Sequence, residues 1–324
     1  MSTMRLKHAS DGSNKSSIHK NTFKSQKRKA IARNWELYLF ILPAVIFVVI
    51  FNYIPIYGLQ LAFKKMIPGQ GIWSGSWVGF DHFRRFFTLY NFKKVLWNTI
   101  WLSLYQLVVL FPLPIILALM LNQLKNGHFK KIAQTITYAP YFISTVVLVA
   151  MFKTMMSPVN GVINHIIVLL GGESIHFFGE PEWGKSLYVL TGAWQTTGWN
   201  AVIYLAALTA LDPMIIEAAT IDGASRFQKI IHIEIPTILP TISILLIMTL
   251  GRLMNLGAGK MLLFQNGMNL STTEIISTYV YRVALRQGQY EFGTAVSLFN
   301  TLINFALLLF TNSIACRFSE TSLF

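Results

Sequence analysis

The feature that most restricts how this chain can fold is a series of long apolar segments separated by short polar ones. The first of them continues without a charged residue from Leu37 to Phe51. A helix needs about 20 mainly apolar residues to cross the hydrocarbon core of a bilayer. Because 53% of the residues are hydrophobic and only 12% are charged, the chain is too apolar for an ordinary soluble domain. We therefore predict an all-α polytopic membrane protein.

Six segments are predicted to span the membrane within a domain of residues 35–316. They lie at about 36–63, 95–121, 133–156, 186–211, 237–257 and 292–316. Residues 1–34 hold nine of the 27 Lys and Arg and lack the apolar core of a signal peptide, which predicts a disordered basic tail facing the cytoplasm and anionic lipid. Six spans then place the short tail 317–324 on the same side, so both termini are expected to be cytoplasmic.

A polar segment between the fourth and fifth spans contains signals for a defined local structure. Asp212 followed by Pro213 is a typical helix start, with a capping carboxylate before a proline at the first helical position. Gly223 is suited to end this helix, and a second helical stretch from Ser225 is expected to be closed by Pro236. The segment therefore predicts two short helices joined by a tight turn, which is typical of a docking element.

The same segment resembles the EAA loop of permease subunits in bacterial ATP-binding-cassette importers. The residues that carry the resemblance are Glu217, Ala218, Ala219, Asp222, Gly223, Ala224, Pro236 and Pro240. Ile235 stands where the family commonly has Leu, which is a mild departure. The segment Val78–Phe83 also resembles a sequence of sugar permeases in this class. The resemblance implies the type I importer fold, with residues 212–236 forming the coupling loop.

The resemblance also implies a set of partners in the bacterial cytoplasmic (inner) membrane. The helix around Glu217 would insert into a cleft of a separate ATPase subunit, where Glu217 would pair with a basic residue. The full importer would contain a second, homologous permease as a heterodimer, two ATP-binding subunits that hold ATP and Mg, and an extracytoplasmic solute-binding protein. The expected cargo is an oligosaccharide, and an acidic one such as alginate is one candidate beside neutral sugars.

Polar and aromatic residues inside the apolar segments mark a candidate substrate pathway. They are Trp194, Gln195, Trp199, Asn200 and Tyr204 in span four, and Arg252 and Asn255 near the end of span five. Such residues are unusual in lipid and either contact a substrate or hold helices together. Arg252 either lies at the outer interface or faces the pathway. The prolines in the sequence Phe111-Pro112-Leu113-Pro114 predict a kink that favours a helix lining the same pathway.

The sequence contains no recognisable source of energy and no catalytic arrangement. The stretch from Gly257 to Met261 fails the phosphate-loop pattern, and no metal-binding motif or basic stripe for nucleic acid is present. We therefore expect no enzyme activity and no cofactor in this chain. An ion-gradient-driven transporter or channel is the alternative, but it would need carboxylates inside the membrane, and a membrane scaffold or sensor would need a soluble domain.

Overall fold

The structure, a computed structural model, describes residues 33–67, 69–71, 74–125 and 127–318. The predicted amino-terminal tail therefore lies outside the described residues except for Arg33 and Asn34, as does the end of the chain from residue 319. The chain divides into two units, of which the first ends at Gln60 and the second begins at Leu61.

The first unit contains helix α1, Trp35–Val48. It continues through a π-helical turn, Val49–Tyr53, into a 3₁₀-helical segment, Ile54–Phe63, that crosses the boundary between the units. The amide of Ile54 donates to the carbonyl of Val49, five residues back. This wider turn lets the helix pass Pro55 without ending.

In the described part of the second unit, helices and loops surround one small pair of strands. These are β1 (Lys64–Lys65) and β2 (Ser76–Trp77), which pair antiparallel with Lys64 opposite Trp77. The helices are α2 (Asp81–Thr88), α3 (Phe92–Leu110), α4 (Pro112–Asn122), α5 (His128–Tyr138), α6 (Thr145–Met155), α7 (Val162–Leu169), α8 (Trp183–Thr209), α9 (Pro213–Ile221), α10 (Arg226–Lys229), α11 (Ile235–Leu250), α12 (Ala258–Phe264), α13 (Leu270–Thr273), α14 (Ile276–Val280) and α15 (Tyr290–Phe318).

Among the described residues, four helices are long and apolar enough to cross a membrane, or up to six if two bent pairs each count as one span. The four are Trp35–Phe63, Phe92–Asn122, Arg226–Leu250 and Tyr290–Ser313. The bent pairs are residues 128–155 and 183–221, with bends of 100° and 75°.

The third predicted span is wrong as a single helix, since α5 and α6 meet at the 100° bend. A 3₁₀ turn, Ala139–Phe142, ends α5, and Ile143 is extended with ψ 126°. The hydroxyl of Ser144 then accepts a hydrogen bond from the amide of Val147 and caps α6. A helix stop followed directly by a side-chain cap makes two helices from one apolar run.

The prediction that Pro236 closes a short helix is also wrong. A π-helical turn, Ile230–Glu234, joins α10 to α11, and the combined helix, Arg226–Leu250, passes through Pro236 and Pro240. The amide of Ile235 donates to the carbonyl of Ile230. The wider turn accommodates the proline ring that would clash with a regular α-helical turn.

Three apolar clusters hold the second unit together. The first joins α3, α6, α8 and α12 around Leu148 and Phe264, and the second joins α2, α3, α14 and α15 around Phe86 and Phe292. The third packs α4 and α11 against α8 around Tyr204 and Ile238. This third cluster lies directly beside the site described next.

Candidate functional site

A cavity of about 730 Å³ lies between three spans, α3–α4, α8 and α11. The residues of α3 and α4 that line the cavity lie along one face of these helices. The lining residues are Ser103, Gln106, Leu107, Leu110, Phe111, Pro114, Trp199, Asn200, Ile203, Tyr204, Leu245, Met248, Thr249, Arg252, Leu253, Asn255 and Leu256. Aromatic and aliphatic walls with a few polar groups are typical of a small-molecule site.

Five of the seven residues predicted for the substrate pathway are brought together here. They are Trp199, Asn200, Tyr204, Arg252 and Asn255. Phe111 and Pro114 also line the cavity, at the one-residue interruption between α3 and α4. The position of this interruption agrees with the prediction that the proline-containing helix lines a pathway.

Trp199 is positioned by a close contact between α8 and α5. A Cβ atom on Gly198 would lie 1.9 Å from the carbonyl oxygen of Thr137, so only glycine allows the two backbones to approach this closely. Next to this contact, the indole of Trp199 stacks on Tyr141 with ring centres 4.5 Å apart, and Phe142 meets it edge-on at 5.8 Å. The indole is therefore held in one orientation beside the cavity.

Arg252 and Asn255 lie on a turn that follows the end of α11 at Leu250. The turn is fixed to α15, because the amide of Met254 donates to Oδ1 of Asn304 at 3.0 Å and Nδ2 of Asn300 donates to Oδ1 of Asn255 at 3.4 Å. Among the described residues that line the cavity, Arg252 is the one with a charged side chain. Among the described residues, its guanidinium has no hydrogen-bond or ion-pair partner, so it remains available to a bound anion.

Trp194 and Gln195 are not among the described residues that line this cavity. Nε2 of Gln195 donates to the carbonyl of Ile143 at 2.8 Å, which satisfies the backbone at the bend between α5 and α6. The ring of Trp194 meets Phe152 edge-on at 5.8 Å. Both residues therefore fasten α8 to neighbouring helices, the alternative role that the sequence left open.

Three polar residues that line the cavity, Ser103, Gln106 and Thr249, were not predicted from the sequence. The hydroxyl of Ser103 is buried and has no hydrogen-bond partner among the described residues. Ser103, Gln106 and Leu110 are spaced as neighbours on one helical face. This spacing, continued by Pro114, is the sequence signal that could have identified them.

Lys260 and Glu274 lie between the last two spans and have perturbed pKa values. Nζ of Lys260 donates to the carbonyl of Tyr188 at 3.0 Å and lies 4.8 Å from the centre of its ring. Burial lowers the pKa of Lys260 from 10.5 to about 8. Burial also raises the pKa of Glu274, and the ion pair with Arg282 partly offsets this increase. The Lys260 contact holds the segment between α11 and α15 against α8, and the Glu274–Arg282 ion pair stabilises the segment itself.

The predicted coupling loop is an exposed helix with a capped start and a glycine turn at its end. A side-chain oxygen of Asp212 accepts from the amide of Met214 at 2.9 Å. The amide of Ala224 donates to the carbonyl of Ala219 at 2.9 Å, and Gly223 has φ +81°, as a left-handed helix end requires. The local geometry at Gly223 is therefore the one predicted from the sequence.

A capping box then starts the next helix, with Ser225 and Gln228 exchanging side-chain and backbone hydrogen bonds. Glu217, Ala218 and Asp222 are exposed, and Ala219 and Ala224 are half-buried. Pro236 and Pro240 are exposed on the continuous helix Arg226–Leu250 rather than at a chain reversal.

Similarity to known proteins identifies the chain as a permease. The chain belongs to the family of inner membrane components of binding-protein-dependent transport systems, which matches residues 111–319. Nearly its whole length is similar to the polygalacturonan/rhamnogalacturonan transport system permease protein YteP of Bacillus subtilis strain 168, at 40% identity over 93% of this chain and 95% of the relative. The protein LplB of the same organism is 39% identical over 91% of this chain and 93% of its own length.

A solved structure gives the same classification. The chain is similar to a chain in the crystal structure of a bacterial ABC transporter involved in the import of the acidic polysaccharide alginate, with a TM-score of 0.84 and 37% identity over 91% of this chain and 100% of the other. A second structure of an alginate ABC transporter, in complex with an alginate pentasaccharide-bound periplasmic protein, matches with the same score and identity. The protein is thus an inner-membrane permease with the type I importer fold.

Proposed function

We propose that this permease forms half of the pathway through which an ATP-driven importer moves acidic oligosaccharides. The observation that carries the proposal is the position of Arg252, the one charged residue in the described part of the cavity lining. A guanidinium forms two parallel hydrogen bonds with a carboxylate, and such bonds are stronger than those between neutral groups. The cavity therefore favours a sugar that carries a carboxylate over a neutral one.

The other lining residues suit the rest of an oligosaccharide. Trp199 and Tyr204 present aromatic surface, against which the apolar faces of sugar rings pack. Asn200, Gln106 and Ser103 offer amide and hydroxyl groups for sugar hydroxyls. The volume of about 730 Å³ lies within the range of about 300–1,000 Å³ for small-molecule sites, which suits a short oligosaccharide rather than a polymer.

The relatives support the same cargo class. YteP is named for polygalacturonan and rhamnogalacturonan, and the solved transporters are described as importing alginate. These polysaccharides contain uronic acids. Relatives named for arabinooligosaccharides and lactose are only 29% and 28% identical to this chain. Neutral oligosaccharides are the second candidate, because aromatic and amide groups bind them equally well.

The coupling loop is proposed to dock onto a separate ATPase. Its helix α9 exposes apolar side chains, with Met214 71% and Ile221 87% exposed, and Phe227 beyond it is 70% exposed. An exposed apolar surface rimmed by polar residues is typical of a protein interface. We assign Glu217 to the ion pair with the ATPase, and Gly223 and the neighbouring alanines to the close approach.

The complete importer would then contain a second homologous permease, two ATPase subunits that bind ATP and Mg, and a solute-binding protein on the outside. If α9 docks on a cytoplasmic ATPase and six segments cross the membrane, both termini of this chain would lie in the cytoplasm. A loaded binding protein would deliver its sugar while bound ATP holds the spans open to the outside. ATP hydrolysis would then return the spans to their previous arrangement.

The cargo is tested by uptake into proteoliposomes that contain the complete transporter. We compare wild type, Arg252→Lys and Arg252→Gln, using galacturonate and mannuronate oligosaccharides beside neutral galactose oligosaccharides of equal length. A hydrogen bond to a charged group contributes about 1.5–3 kcal/mol, so Arg252→Gln should reduce uptake of the acidic sugars about 10- to 150-fold. Arg252→Lys should retain part of the activity, because it keeps the charge but loses the two parallel hydrogen bonds.

Neutral sugars serve as the matched control. If Arg252→Gln reduces their uptake as strongly as that of acidic sugars, Arg252 has no role in selecting the charge. If wild type imports only neutral sugars, the second candidate is correct. Uptake that follows a proton or sodium gradient without ATP would contradict the energy source.

A further inference from the structure

Glu234 is a buried carboxylate at the joint between the coupling loop and span five. Glu234 as a whole is only 3% exposed. Oε1 accepts two hydrogen bonds, from Nδ2 of Asn122 at 3.1 Å and from Nε2 of Gln123 at 2.7 Å. Oε2 is buried and has no hydrogen-bond partner among the residues that the structure describes. Burying such a group costs free energy, so an apolar side chain would fill the same space at lower cost.

The two donors belong to a different span from their acceptor. Asn122 is the last residue of α4 and Gln123 follows it, whereas Glu234 is the last residue of the π-helical turn in Arg226–Leu250. Glu234 therefore links the end of span two to the first part of span five. Because the donors are consecutive in the chain, the contact fixes both the position and the direction of the end of α4.

The same two helices meet again at the cavity. The helix Arg226–Leu250 starts at the coupling loop and reaches the cavity at Leu245, Met248 and Thr249. Helix α4 starts at Pro112, lines the cavity with Pro114 and ends at the Glu234 contact. Between the contact and the cavity, both helices pack on α8 through the apolar cluster around Tyr204 and Ile238.

The start of α4 is a point where span two can bend. Proline has no amide hydrogen, so Pro112 and Pro114 cannot donate the backbone hydrogen bonds that would tie α4 to the last turn of α3. A force applied at Gln123 would thus turn α4 about Phe111, which lines the cavity.

We propose that Glu234 is a positioning residue that makes α4 move with the helix leaving the coupling loop, so that ATP-driven displacement of the loop changes the width of the cavity. The proposal rests on the proposed function, since it needs an ATPase to move the loop. Glu234 lies within residues 212–236 but is not one of the residues that carry the EAA resemblance, so the proposal adds a residue to the coupling machinery.

The first experiment measures uptake per ATP hydrolysed, with the complete transporter in proteoliposomes and a galacturonate oligosaccharide as the probe. Glu234→Ala and the double variant Asn122→Ala/Gln123→Ala should keep ATP hydrolysis stimulated by the loaded binding protein. Both should lower uptake per ATP about 2- to 30-fold, the range for residues that transmit coupling. Glu234→Gln should retain most of the coupling, because its side-chain oxygen can still accept from both amides.

Thr237→Ala is the matched control, since Thr237 lies on the same helix and its hydroxyl donates only to the carbonyl of Ile233 at 2.7 Å. Unchanged uptake per ATP in Glu234→Ala would overturn the proposal. Equal decreases in ATP hydrolysis and uptake, with uptake per ATP constant, would overturn it as well, because they indicate a purely structural role.

The second experiment tests joint movement directly. Cysteines replace Gln123 and Glu234 after the native Cys316 has been changed to Ser, and a short bifunctional thiol reagent links them. If the two helix ends move together, the linked transporter keeps its uptake. If linking blocks the uptake that the same double-cysteine variant shows before linking, the ends separate during transport and the proposal fails. If the wild-type transporter shows no ATP-dependent uptake of any probe, the proposed function is refuted, and this inference is refuted with it.

Discussion

The contact between Gly198 and Thr137 gives a prediction that links helix packing to the site. A Cβ atom at residue 198 would lie 1.9 Å from the carbonyl oxygen of Thr137 and 2.5 Å from its carbonyl carbon, whereas ordinary contacts begin near 3.4 Å. Both of these atoms belong to the backbone of α5 and cannot rotate away. Gly198→Ala therefore has to separate α8 from α5 by about 1.5 Å. We expect a destabilisation of about 3 kcal/mol, which is the upper end of the usual range for overpacking substitutions.

The same displacement moves Trp199 away from Tyr141, on which it stacks at 4.5 Å. We expect the apparent Tm of the purified protein to fall by about 6–12 °C, using the scaling for domains of 150–250 residues. Uptake by the assembled transporter should fall as well, because the indole loses its support at the cavity. Thermal unfolding in detergent and uptake in proteoliposomes measure the two effects.

Gly259→Ala is the control for this prediction. Gly259 lies in α12, and apart from its chain neighbours and the backbone of its own helix, no atom of the described residues stands within 4 Å of the position of its added Cβ. The alanine should leave Tm unchanged or raise it slightly, because glycine destabilises a helix by about 0.5–1 kcal/mol relative to alanine. A Gly198→Ala protein with the Tm and uptake of wild type would refute the reasoning from the close contact.

Three further predictions use the same assays. Gly223→Ala should lower uptake per ATP, because φ +81° costs a residue with a Cβ about 1–2 kcal/mol, whereas Gly223→Asn should be milder. The free energy of unfolding should rise between about pH 8 and pH 10.5, where the folded Lys260 has lost its proton and the unfolded one has not; Lys260→Met should remove this rise in a pH series of unfolding curves. Trp199→Ala should reduce sugar uptake about 2- to 10-fold, whereas Trp194→Ala should leave it near wild type.

The spans could be predicted from hydropathy because a bilayer imposes a minimum apolar length, and Trp35–Phe63 and Phe92–Asn122 exceed it. The bend in span three could not be read in the same way, since residues 133–156 are apolar on both sides of it. Its local signals were Pro140 and the capping residue Ser144, and hydropathy is insensitive to both. Pro236 was misread for a related reason, because the rule that proline ends a helix assumes a regular α-helical turn.

The cavity was predicted in part because polar residues inside an apolar helix are conspicuous. What the sequence could not give was the direction of each residue. Trp194 and Trp199 are five residues apart, which turns them about 140° from each other on α8, so they cannot face the same space. Gln195 was assigned to the pathway although the bend at Ile143 leaves a carbonyl that needs a donor. The bend therefore gives Gln195 a partner that hydropathy does not reveal.

The continuity of Arg226–Leu250 determines how the two sites can communicate. If Pro236 ended a helix, as the sequence predicted, a joint would lie between the coupling loop and span five, and rotation at that joint would absorb movement of the loop. The π-helical turn Ile230–Glu234 instead keeps 25 residues in one helix whose far end reaches the cavity. The same turn also ends at the carboxylate that holds α4. The residue that the sequence treated as a helix stop therefore lies within the part of the helix best placed to transmit movement.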